Sequence, residues 1–156
     1  MKIARLWGWA VPATFALGLT APALADGRVF VPVPDLSSIA GEDAKRLLDQ
    51  LVLAVVVGSN CPGFELTDAQ WSLLTDSADV LAHEQLGLSI GDYDDQVFVP
   101  AFDVLDAPDT CGKVGPKIGV LIDLLVGLGG SLDPIADQDA ALAKWNVQQD
   151  IWAEIR

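Results

Sequence analysis

The chain has 156 residues, 51% of them hydrophobic, with 22 acidic residues against 9 basic and a formal net charge of −13. That length suits one domain, and a field of that sign repels nucleic acid, so no nucleic-acid partner is expected. Two cysteines and one histidine leave no ligand set for a zinc-type site, and no G-x-S-x-G, H-E-x-x-H or glycine-rich phosphate loop occurs, so neither a cofactor nor enzyme activity is expected.

The first 25 residues have the three parts of a secretory signal peptide. Lys2 and Arg5 make the start positive, Leu6 to Leu19 is mostly apolar, and Ala23-Leu24-Ala25 is a small-residue cleavage site. Cleavage would fall between Ala25 and Asp26. The apolar run is short and is broken by Pro12, so no stable membrane span is expected after cleavage. No cysteine sits at the cleavage point to take a lipid. Loss of Lys2 and Arg5 leaves 7 basic residues against 22 acidic ones. The expected location is periplasmic or secreted. In such a compartment two cysteines most often pair, so a disulfide between Cys61 and Cys111 is expected.

Residues 26–40 are expected to be an extended segment. Val29 to Pro34 reads VFVPVP, which favours a strap laid over the domain surface, and Ser37 and Ser38 can cap the helix that follows. Residues 41–156 are expected to form a single helical domain.

The first helix is expected from about Glu42 to Val57, with Ala44, Leu47, Leu48, Leu51 and Val55 recurring at three and four. The run Val55-Val56-Val57 leaves a strand open as the alternative, and Gly58 is the expected stop. The second helix opens on a capping box, Thr67 with Gln70, and Leu66 and Trp71 are placed for a hydrophobic staple. Trp71, Leu74, Ala78 and Leu81 mark its inner face, which leaves Asp68, Asp76 and Glu84 on the surface. Gly87 closes it. A broken helix is expected from about Asp92 to Leu105, kinked by Pro100, with a turn and short strand as the competitor. A fourth helix begins near Pro116, with Ile118, Leu121, Ile122, Leu125 and Leu128 inward. A fifth runs from about Asp137 and buries Leu142, Trp145, Ile151, Trp152 and Ile155. The expected fold class is all-α, a small four- to five-helix bundle with one disulfide.

Few side chains suggest chemistry. His83, the only histidine, sits beside the inner stripe of the second helix and reads as a boundary residue near a helix end, where a cation is favoured. Asp92, Asp94 and Asp95 are weak candidates for calcium, as are Asp133, Asp137 and Asp139. An EF-hand is excluded at Asp92, because its sixth and twelfth positions hold Val97 and Asp103. Phe64, Phe98, Phe102 and the tryptophans read first as core.

The reading that fits best is a non-enzymatic periplasmic module that binds a protein or a small ligand. In outline the chain is also similar to the small acid-stress chaperones of the periplasm, which are short, helical and bridged. That likeness implies loosening at low pH, as carboxylates gain protons and apolar faces are exposed. Weak calcium binding is the third reading.

Overall fold

A computed structural model describes residues 28–156. The expected cleavage site, between Ala25 and Asp26, lies outside them. Among the described residues the regular structure is all helical, and no helix is long and apolar enough to cross a membrane.

Helix α1 runs Gly41–Asn60 and forms the axis of the fold. Leu48, Leu51, Ala54 and Val57 are fully buried, so this helix is enclosed on most sides. The valine run is helical, not a strand. Burial overrides the small β preference of these residues. Gly58 does not stop the helix. It lies inside α1, where a Cβ would come within 2.5 Å of the Leu66 side chain. Gly58→Ala is therefore expected to cost about 1–3 kcal/mol by overpacking; a urea melt matching wild type would contradict this contact. Ser37 and Ser38 do not cap α1; its N-cap is Ala40, without a side-chain bond.

Helix α2, Asp68–Val80, begins at the expected capping box. Thr67 Oγ1 accepts from the Gln70 N–H at 3.3 Å, and Gln70 Oε1 accepts from the Thr67 N–H at 3.0 Å. The helix continues as a π turn, Leu81–Gln85. Gly87 then takes φ +64, which lets the Leu88 N–H reach back to the Ala82 carbonyl at 2.9 Å.

Helix α3 (Ile90–Tyr93), a π turn (Asp94–Phe98) and helix α4 (Val99–Leu105) make one continuous rod. The strand alternative is wrong here. The wide turn lies just before Pro100, whose ring would clash with the carbonyl of a regular α turn, so the chain passes the proline without breaking. Tyr93, Val97 and Ala101 face inward, as their four-residue spacing requires.

Cys111 lies on a short helix, α5 (Thr110–Val114), and a 3₁₀ turn leads into α6 (Ile118–Gly127). The Cys61–Cys111 disulfide is formed, with Cα atoms 5.6 Å apart, and ties the end of α1 to α5. Helix α7 (Gln138–Trp152) ends the fold. Its inner line is Ala141, Trp145, Gln148 and Trp152. Leu142 and Ile151 are 45% and 55% exposed, so they leave the apolar face expected for them.

The N-terminal segment also differs from a surface strap. Val31 and Leu36 are 2% and 1% exposed and belong to the same core as α1. The segment is gripped from the loop before α7: the Ser131 N–H donates to the Pro32 carbonyl at 3.0 Å and the Ile135 N–H to the Phe30 carbonyl at 2.9 Å. The Gln138 side chain completes the grip, accepting from the Phe30 N–H at 2.7 Å and donating to its carbonyl at 2.9 Å.

Candidate functional site

Four polar residues, Ser72, Asp76, Asp79 and His83, recur along one line of α2 and its π turn at spacings of four, three and four. A helix buried on its apolar side alone would leave this line wet. Here Arg28 of the N-terminal segment, Tyr93 of α3 and Trp152 of α7 close over Asp76, Asp79 and His83, and Ser72, Asp76 and His83 are 0%, 2% and 6% exposed. Asp76 is therefore not on the surface, and His83 is not a boundary residue.

Arg28 neutralises part of this line. Its guanidinium forms an ion pair with Asp76 and lies over the rings of Trp145, Phe30 and Trp71, at 4.2, 5.0 and 5.8 Å from their centroids. Cation–π contacts of this kind contribute about 0.5–2 kcal/mol, more as water is excluded. One arginine does not balance two aspartates. Burial pushes the Asp76 carboxyl up to about 6 despite Arg28, and burial with the nearby Asp76 charge pushes Asp79 up to about 7. Burial and the neighbouring Asp79 also drive the Tyr93 hydroxyl well above its ordinary range. That hydroxyl lies beside Asp79 without a hydrogen bond of regular geometry.

His83 is held by packing. Its Nδ1 lies 2.7 Å from the Leu88 carbonyl, which makes Nδ1–H the donor. Its ring lies 4.8 Å from Trp152 and 5.4 Å from Tyr93. The aromatic contacts continue from Tyr93 to Phe98 at 5.0 Å, and from Trp152 through Trp145 to Phe30 at 5.5 and 6.3 Å. Phe98, Tyr93, His83, Trp152, Trp145 and Phe30 thus form one aromatic run across the N-terminal segment, α2, α3 and α7.

A groove of about 330 Å³ opens beside this run. Phe30, Trp145 and Trp152 wall it, with Val80 and Ile135; Asp76 also lines it, and Glu84 and Lys144 are its exposed charges. Trp152 is 2% exposed, and its indole N–H has no partner among the described residues. A second hollow, of about 250 Å³ between α1 and α4, has no aromatic wall.

No protein-family model, curated protein or solved structure matches the chain. The site is read from its own geometry.

Apart from His83, Phe98, Trp145 and Trp152, the sequence-based candidates fall elsewhere. Asp92 serves the start of α3: the Ser89 hydroxyl donates to its carboxylate at 2.7 Å and accepts from its N–H at 3.1 Å, and Gln96 donates to its other oxygen at 3.2 Å. Asp94 and Asp95 are exposed, and Asp137 caps α7 by accepting from the Ala140 N–H at 2.9 Å. Among the described residues no three His, Cys, Asp or Glu side chains converge as a metal site would require. Phe64 packs over Gly115, close in sequence to Cys111, while Phe102 is 47% exposed. Trp71 is half-buried at the Arg28 box. Sequence reasoning missed Arg28, Phe30, Asp76 and Asp79. The signal within reach was the polar line itself, four polar residues in helical register beside an apolar stripe.

Proposed function

We propose that this chain is an exported, non-enzymatic binding module whose site is the groove between the N-terminal segment, α2 and α7. One observation carries the reading. A cavity of about 330 Å³, large enough for a small molecule, is lined by three aromatic residues, Phe30, Trp145 and Trp152, with Asp76, Glu84 and Lys144 as its charged groups. Sites for small ligands have this character: concave, mostly apolar and furnished with a few fixed polar groups. The disulfide suits a periplasmic or secreted location.

The test is a titration with the neutral apolar fluorophore N-phenyl-1-naphthylamine. Saturable enhancement is expected for the wild-type chain. Ala141→Phe, which fills the groove from α7, is expected to abolish it with little change in melting temperature. Enhancement that does not saturate, or that survives in Ala141→Phe, removes the groove as the site.

The chaperone reading gains no support from the buried carboxylates. Asp76 and Asp79 hold protons more tightly in the folded chain than ordinary aspartates do, so acidification favours the fold at these positions. The calcium reading rests only on Asp92, Asp94 and Asp95, and the melting temperature at millimolar calcium tests it.

A further inference from the structure

We infer that this chain pairs with a second copy of itself, the outer face of α4 on one copy seating against the outer face of α5 and α6 on the other. The surface lies apart from the groove and uses none of its lining residues. On α4, Val99, Phe102, Asp103 and Asp106 fall at i, i+3, i+4 and i+7, one line of a helix, while Ala101 takes the buried side. Helix α5, the 3₁₀ turn and α6 follow one another without a break, and Lys113, Lys117, Val120 and Leu124 recur along them at four, three and four. Ile118, Ile122 and Leu125 hold the buried side there. All eight outward residues are exposed, with Val99, Phe102, Val120 and Leu124 at 54%, 47%, 68% and 45%. Helix α6 carries one charge, Asp123, at the edge of this line; a helix so apolar is ordinarily covered on both sides.

The two lines match end to end. Along the chain the α4 line runs from apolar to acidic, and the α5–α6 line from basic to apolar. Laid antiparallel, Asp103 and Asp106 meet Lys113 and Lys117, and Val99 and Phe102 meet Val120 and Leu124. A parallel alignment would set the aspartates against the apolar pair. Helical rise makes the lines about 10 Å and about 16 Å long, close enough to lie along each other. Among the described residues the ion pairs join Arg28 to Asp76, Lys45 to Asp49 and Arg46 to Asp43, so these two lysines and two aspartates have no ion-pair partner within the fold.

The partner is a second copy because one chain carries both halves of the match. A net charge of −13 opposes the approach of two copies, yet at physiological salt charges more than about 8 Å apart are largely screened, so the local pairing decides. The contact is heterologous, each copy offering one face and receiving the other. Two lines this short bury less than the roughly 800 Å² per partner of a standard interface, which sets the association in the weak, reversible class.

Sedimentation equilibrium of the chain purified after export, at physiological salt, tests this. The weight-average mass is expected to climb above that of one copy between about 10 and 500 µM. Two charge-reversed variants are then compared, Asp103→Lys with Asp106→Lys, and Lys113→Asp with Lys117→Asp. Each alone is expected to associate at least about tenfold more weakly. Their equimolar mixture is expected to regain association, because a basic α4 line then meets an acidic α5–α6 line. The first variant lowers the net negative charge, so its loss of association is not general repulsion. Val120→Ser with Leu124→Ser alters no charge and is expected to weaken association to a similar degree; circular dichroism melts confirm that each variant is folded. A mass of one copy at every concentration overturns the inference. So does association indifferent to these changes, which would place the contact elsewhere, and so does a mixture no better than its parts.

Discussion

Reducing the Cys61–Cys111 bridge is expected to lower the stability of the fold by about 4 kcal/mol. The link spans 50 residues of sequence. In the chain-entropy account, a loop of that length removes much of the freedom of the unfolded chain. The native side of the balance matters as well. Helix α5 has only five residues, too few to persist alone. The bridge fastens it to the end of α1, where Cys61 is 2% exposed within the core. In Cys111→Ser the melting temperature should fall by about 10–20 °C, given the usual entropy of unfolding of a domain this size. Urea melts with and without reductant check the value independently. A difference below about 1 kcal/mol would mean that packing alone holds α5 in place.

Lowering the pH from 8 to 5 is expected to raise the stability. Asp76 and Asp79 titrate at about 6 and about 7 in the folded chain, above the ordinary aspartate value of 3.8. Between pH 4 and 7 the native state therefore holds protons that the unfolded chain has released. Stability from these groups is fully present below the unfolded value and is lost as pH rises through 6 to 7. The two sites share a field, so their effects do not simply add; together they should amount to roughly 2–4 kcal/mol. Asp35 and Glu65 act in the opposite sense, but their carboxyls are lowered, fully exposed and titrate below this window.

Melting temperatures at pH 8, 7, 6 and 5 and constant ionic strength measure the slope. In Asp79→Asn the curve should flatten and the pH 8 value should rise, because a neutral amide replaces a buried charge beside Asp76. A wild-type curve that falls steadily from pH 8 to 5 would contradict the burial of this pair. It would also revive loosening in acid, which the chaperone reading requires.

Much of the architecture was legible because it is local. The α2 capping box is written in Thr67 and Gln70, and the αL closure in Gly87. The inner face of α6 follows from the spacing of Ile118, Ile122 and Leu125. The kink expected at Pro100 appeared as a π turn, the same steric conflict resolved by widening rather than breaking the helix. Each of these depends on residues within about one turn of each other, so periodicity and cap chemistry suffice to see it.

The candidate site was not legible in that way. Asp76 looked like a surface residue because its helix alone cannot say what covers it. Arg28, 48 residues upstream, and α7, near the C-terminus, make the cover. Likewise, Leu142 and Ile151 had the hydrophobicity for an inner face, yet α7 turns Trp145 and Trp152 inward. The larger rings reach His83 and Phe30, and the smaller residues are left outside.

The sequence by itself determined the cap and register of α2 and the one pairing open to two cysteines, and it pointed to an all-α fold while leaving a strand open at Val55-Val56-Val57 and near Pro100. Tertiary structure decided which polar residues are dry and where the cavity lies. The physical reason is range. Caps and helical periodicity act over three or four residues, whereas desolvation is set by segments that meet from far apart, as Gln138 meets Phe30 across 108 residues.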